Sequence, residues 1–157
     1  MRLGLLLVGI AWLAASVGAQ QTPKPTSFAC PVSRPNGLRE YEYQNESLMT
    51  NLWPDGTVVF KPGGAGFVEE DGSLSMKFPW TRYVKGQLTI DGRRLDGPAP
   101  PLRAHIPSGY GDTGFQATGL TFPTPGCWEV TGHVGNGHLT FVTRVVKIGD
   151  GPKRPSH

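Results

Sequence analysis

Cys127-Trp128-Glu129-Val130-Thr131-Gly132-His133-Val134, Gly135-Asn136-Gly137, His138-Leu139-Thr140-Phe141-Val142-Thr143-Arg144-Val145-Val146 is the stretch that decides the fold. Two runs rich in β-branched and aromatic residues flank an Asn-Gly pair. Asn-Gly favours a type I′ turn, because both central residues of that turn need positive φ. With Asn136 and Gly137 at the tip, Val134 faces Leu139, Gly132 faces Phe141, Val130 faces Thr143 and Trp128 faces Val145. That face is apolar, and Gly132 leaves room for the Phe141 ring across the strand. The other face pairs His133 with Thr140, Thr131 with Val142 and Glu129 with Arg144, and is mostly polar. A slip of one residue would mix the two sets, so one face is committed to a core.

Upstream, short β-rich runs alternate with turn dipeptides. The sequence holds 22 Gly and 15 Pro, and no segment keeps a helical period over a window of about eleven residues. Asp91-Gly92 is expected to join two strands in a hairpin, and so is Asp71-Gly72. Pro54-Asp55-Gly56 turns Leu52-Trp53 into the run 57–60. The run 115–122 reads as a strand that feeds Pro123-Thr124-Pro125-Gly126 into the strand of Trp128. The expected fold is all-β, an immunoglobulin-like antiparallel β-sandwich, in which the last three strands look like strands E, F and G of such a domain. A small β-barrel is the alternative. The domain is expected to span 34–148, between an extended Pro-rich leader (20–33) and a disordered tail (149–157).

Ahead of the leader, Arg2 precedes the apolar run 3–15, which has the length of a signal-peptide core and is short for a membrane span. Small residues follow, with Val17 and Ala19 placed for cleavage before Gln20. Residues 1–19 therefore read as a signal peptide, and no other stretch is apolar for long enough to span a membrane. Export makes the two cysteines, Cys30 and Cys127, a natural disulfide pair. Because Cys127 alternates with Trp128, it points away from the core. The bridge should then staple the leader across the outer face of a sheet, unless a bulge at Gly126 reverses the phase. Fifteen Lys and Arg against twelve Asp and Glu give a formal charge of +3. The basic residues are scattered rather than striped, which argues against nucleic acid as a partner.

Leu52-Trp53-Pro54-Asp55-Gly56-Thr57-Val58, Arg94-Leu95-Asp96-Gly97-Pro98, Gly109-Tyr110-Gly111 and Phe122-Pro123-Thr124-Pro125-Gly126-Cys127-Trp128-Glu129-Val130-Thr131 resemble a family of small exported bacterial proteins of unassigned function. The Pro-Gly-Cys-Trp-Glu-Val-Thr stretch is the most specific part. The resemblance implies a secreted, periplasmic or cell-envelope protein with an immunoglobulin-like sandwich. It implies no activity and no catalytic residues.

The candidate chemistry is sparse. His105, Ser108 and Asp112 share one loop, but that loop lacks the Gly-x-Ser-x-Gly elbow between strand and helix that a hydrolase of that class uses. It reads instead as a binding loop, with Tyr110 at its tip. His133 and His138 lie on one outward face and are weak candidates for a metal, with no third ligand nearby in sequence. Lys61-Pro62-Gly63-Gly64-Ala65-Gly66 lacks the ending of a phosphate loop and reads as a plain connection. Trp53, Trp80, Tyr83 and Tyr110 could stack on a sugar, with Arg82, Asp55 or Asp112 bonding hydroxyls; equally, they could fill the core. Asn45-Glu46-Ser47 fits the glycosylation pattern. The leading expectation is a non-enzymatic binding module that needs no cofactor and takes an envelope protein or a glycan as its partner. A small hydrolase or metal-binding protein is the rival.

Overall fold

A computed structural model of the chain describes residues 28–153. The expected signal peptide, the start of the leader and the last four residues lie outside them. Among the described residues the structure is all-β, and no helix is long and apolar enough to cross a membrane.

Ten strands form two sheets. The first holds β1 (Glu42–Gln44), β2 (Leu48–Asn51), β5 (Leu74–Arg82), β8 (Gly114–Phe122) and β7 (Arg103–His105), hydrogen-bonded in the order β1-β2-β5-β8-β7. The two-residue β4 (Phe67–Val68) pairs with the start of β5. The second holds β3 (Thr57–Phe60), β10 (Gly137–Lys147), β9 (Gly126–Val134) and β6 (Leu88–Arg94), in the order β3-β10-β9-β6. The sheets do not close into a barrel. They are antiparallel except where β3 lies parallel to the end of β10. As expected, β8 lies in one sheet while the β9–β10 hairpin lies in the other.

The hairpin keeps its faces but not its register. Val134 pairs with Gly137, Gly132 with Leu139, Val130 with Phe141 and Trp128 with Thr143. The turn is Gly135-Asn136, not Asn136-Gly137. Gly135 takes φ of +54° while Asn136 stays out of the left-handed region. That pattern, with Gly first, belongs to the type II′ turn. Each partner shifts by two residues, so every side chain stays on its expected face. Glu129 now meets Arg93 of β6 at 2.8 Å instead of Arg144. Gly132 makes room for a different ring from the one expected. A Cβ there would lie 2.7 Å from two atoms of the Trp80 indole, which reaches across from the first sheet.

Asp91-Gly92 is not a turn. Both residues run inside β6, opposite Thr131 and Val130. A Cβ on Gly92 would lie 2.8 Å from the Glu129 carbonyl and 3.1 Å from Leu102, so this glycine serves close packing. Asp71-Gly72 does turn β4 into β5, with Gly72 at φ +83°. The 54–56 turn carries the chain from the first sheet to the second, with Gly56 at φ +71°.

Pairing continues unbroken to Gly126 opposite Val145, so no bulge intervenes. Cys127 therefore faces away from Trp128, and it bonds to Cys30, which is 97 residues distant in sequence. The bridge is outside the core cluster, yet Cys127 is only 1% exposed, because the strap from Cys30 onward covers it. Val32 lies on Gly56, and Ser33 donates its N–H to Val142 O at 2.8 Å. A disulfide of this kind suggests an oxidising environment, as outside the cell. The tail departs from expectation. Gly151 and Pro152 are buried, and Pro152 O accepts from Val68 N at 3.1 Å. A Cβ on Gly151, at φ +73°, would lie 2.7 Å from Val68, so a glycine there lets the chain dock.

Three outcomes are expected. Gly132→Ala should cost roughly 1–3 kcal/mol in urea unfolding, because a fully buried ring has to move; an unchanged midpoint would mean the ring is not held there. Reducing the disulfide should lower stability by up to roughly 4–5 kcal/mol on the loop-entropy scale. A non-reduced digest should show the two cysteine peptides linked, and two free thiols would contradict the pairing. The third outcome concerns Asp71. Hydrogen bonds from the Ser73 hydroxyl and N–H, with Arg103 adding its guanidinium, hold this carboxyl down at about 2. Its folded value lies below the unfolded one near ~3.9, so its contribution is whole above that pH and is lost as pH falls through about 2. NMR titration should find that midpoint, and Ser73→Ala should raise it; a midpoint unmoved by the substitution would remove the assigned cause.

Candidate functional site

Strand alternation places the site. Phe78, Trp80 and Arg82 share the inward face of β5, while Pro79 and Thr81 face out. On β8 the inward set is Gln116, Thr118, Leu120 and Phe122. Trp80 pairs with Gln116 and Arg82 with Gly114. Arg82 and Gln116 are thus diagonal neighbours on one face, positions whose Cβ atoms lie somewhat less than roughly 7–8 Å apart. The inward face is apolar from Leu120 and Phe122 to Phe78 and Trp80, and it carries a charged and an amide side chain here, where the strands end.

Two loops roof this polar end: the β5–β6 connection (83–87) and the β7–β8 connection (106–113). Between them lies a cleft of about 460 Å³, lined by Arg82, Leu88, Ile106, Tyr110, Asp112 and Gln116 among others. Arg82 ties the loops together. Its Nη1 donates to Gly86 O at 2.8 Å and its Nη2 donates to Gly111 O. Gly86 N also donates to Asp112 O at 3.2 Å. Gln116 Nε2 donates to Pro107 O at 3.2 Å. Arg82 is 4% exposed and Gln116 5%. Among the described residues, Arg82 Nε and Gln116 Oε1 have no hydrogen-bond partner. Among the described residues, no carboxylate forms an ion pair with Arg82. A buried donor, a buried acceptor and an unneutralised charge therefore converge on one cleft.

The structure brings together Arg82, Tyr110 and Asp112 from the sequence candidates. Tyr110 is 39% exposed and sits edge-on to Phe115, with ring centroids 6.3 Å apart. His105 is not among the lining residues. It ends β7 opposite Gly119, and no hydrogen bond joins it to Ser108 or Asp112. Trp80 belongs to the core, 1% exposed between Phe78 and Phe141, and has no free ring face to offer a sugar. Trp53 packs against Phe78 at the core's edge, with centroids 6.2 Å apart. Gln116 escaped the sequence reading, although its position was available: Gln116-x-Thr118-x-Leu120-x-Phe122 is a period-two pattern whose last members are apolar.

On the outer face of the second sheet, His138 and His133 are cross-strand partners, with ring centroids 6.2 Å apart. His133 Nε2 lies 2.8 Å from Asp91 Oδ2. Among the described residues, no group of three or more His, Cys, Asp or Glu side chains is arranged to hold a metal ion. Asn45, of the glycosylation-like triplet, is structurally engaged. Its Oδ1 accepts from the N–H groups of Ser47 and Leu48, and its Nδ2 donates to His138 O at 2.7 Å. Comparison with protein-family models, with curated proteins and with solved structures gives no match.

Proposed function

We propose that the chain is an exported, non-enzymatic binding module that acts in the periplasm, at the cell surface or outside the cell. It takes its ligand or partner in the loop-end cleft. One observation carries this reading: Arg82 and Gln116 are held inward at the mouth of the sandwich, each with a buried polar atom that lacks a partner among the described residues. Such atoms cost stability, roughly 1–3 kcal/mol each; Trp80 Nε1 carries this cost inside the core, whereas those of Arg82 and Gln116 belong to side chains that line the cleft, where a ligand can meet them. Strands supply the floor and loops supply the rim, as in many binding sites. The family resemblance to small exported bacterial proteins belongs to the same proposal, and the disulfide supports an oxidising address.

A glycan partner is favoured by one feature, the half-exposed Tyr110 beside Asp112 at the rim. An aromatic face with a neighbouring carboxylate suits a sugar ring and its hydroxyls. The hydrolase rival needs His105 beside Asp112, and no contact between them supports it.

The test uses isotope-labelled protein titrated with soluble envelope fractions of the native host and with a glycan panel. NMR shifts should fall on residues 82–88 and 106–116. Tyr110→Ala should weaken that binding by roughly tenfold, as losing an aromatic anchor does. Shifts confined to other surfaces would overturn the cleft, and chemical turnover of the bound molecule would overturn the non-enzymatic reading.

A further inference from the structure

We infer that the cleft recognises a small carboxylate flanked by hydroxyl or N–H donors, with Arg82 holding the carboxylate and Gln116 the neighbouring donor. This rests on the cleft being a binding site and adds the class of its ligand. The argument starts with charge. Arg82 is 4% exposed, and among the described residues its guanidinium has only two partners, the backbone carbonyls of Gly86 and Gly111. A buried cation without an anion is unfavourable, and a planar carboxylate is the group that best matches the guanidinium edge. Asp112 lines the same cleft but forms no ion pair with Arg82.

Polarity at the second point narrows the class. Gln116 Nε2 gives one of its two N–H groups to Pro107 O, while Oε1 has no partner among the described residues and calls for a donor. A bare carboxylate would leave Oε1 unmatched. A hydroxy acid, an acidic sugar or an N-acyl amino acid places an O–H or N–H beside its carboxylate. Diagonal neighbours within roughly 7–8 Å of one another reach a group of that size together through their long side chains. Leu88 and Ile106 give the rest of the ligand an apolar wall.

Arg82 Nε and Gln116 Oε1 are both covered in the free protein. The carboxylate therefore reaches the guanidinium by displacing the Gly111 carbonyl. Gly109 and Gly114, at φ +93° and +82°, bracket the segment that has to give way. Binding should thus move the backbone of 109–114 as well as the two side chains.

The experiment titrates labelled protein with D-glucuronate, D-lactate and N-acetylglycine, and with the neutral controls D-glucuronamide and D-glucose. The carboxylates should shift the Arg82 Nε–H and Gln116 side-chain amide signals together with the amides of 109–114, while the neutral compounds leave them in place. Arg82→Gln should abolish the response. Gln116→Leu should weaken it about tenfold, and this variant stands in if Arg82→Gln does not fold. Equal binding of glucuronate and glucuronamide overturns the inference. So does the absence of any carboxylate response at these two side chains. A neutral ligand that occupies the cleft while the acids do not would leave the binding module standing and remove the acid. Failure of every ligand, envelope fractions included, would remove both.

Discussion

The Trp80 ring lying on Gly132 sets the phase of the sandwich. Trp80 is 1% exposed and Gly132 gives it the depth of a missing side chain. Phe141 flanks the ring from the second sheet and Phe78 from the first, with centroids 6.2 and 5.8 Å away. Such a ring buries on the order of 200 Å², the largest contribution one residue makes to a small core. It also leaves Nε1 without a partner, a penalty of roughly 1–3 kcal/mol that the packing outweighs. Once Trp80 points inward, period two leaves no choice for its neighbours. Arg82 must point inward as well, and Gln116, paired to Trp80, must do the same. The polar floor of the cleft follows from where the indole has to go.

The second sheet has a problem of its own. The first half of β10 has β9 on one side and no strand on the other, because β3 pairs only from Arg144 onward. An open edge of that kind invites pairing with another chain. Here three successive outward carbonyls are capped. His138 O accepts from Asn45 Nδ2, Thr140 O from Tyr43 Oη at 3.1 Å and Val142 O from Ser33 N. The β1 region and the leader strap thus close the edge together, and the disulfide holds the strap where Ser33 can reach. Cys30–Cys127 and Asn45 serve one task from opposite ends of the same row.

What could be read from the sequence was parity. The alternation around Trp128 and Phe141 told the inner from the outer face, and it placed Cys127 outside. Register was not readable in the same way. A two-residue shift preserves both faces, so the pattern could not separate the two turns, and Asn-Gly chemistry pointed to the wrong one. Gly137 lies instead where Ser47 packs from the first sheet. Asp91-Gly92 misled for the same reason, since its glycine answers to Leu102, ten residues on, and a dipeptide carries no trace of that. Of the site, Arg82, Tyr110 and Asp112 were visible as residue types. Their convergence was not, because it depends on the ends of β5 and β6 meeting those of β7 and β8. Trp80 was ambiguous between core and ligand until the facing glycine was placed.

The two ends of the sandwich differ in kind. At one, Phe122 meets Trp128 edge to face, with Leu74 and Phe60 wholly buried beside the docked tail. Trp128 Nε1 finds Thr124 O at 2.9 Å, and the Arg94–Asp96 pair lies over Gly126. Burial works against the Asp96 carboxylate there, but its hydrogen bonds to Arg94 and to the Cys127 backbone hold its pKa below the usual value. At the other end Arg82 and Gln116 point inward beside Leu48, with Thr50 and Thr118 nearer the middle of the same face. The threonine hydroxyls are spent on the Pro79 and Phe78 carbonyls, while Gln116 and Arg82 are only partly satisfied. Polar groups at the first end are matched, whereas those of Arg82 and Gln116 at the second are matched only in part. A protein this small can hold an unneutralised arginine at its mouth because the opposite end and the disulfide secure the fold without it.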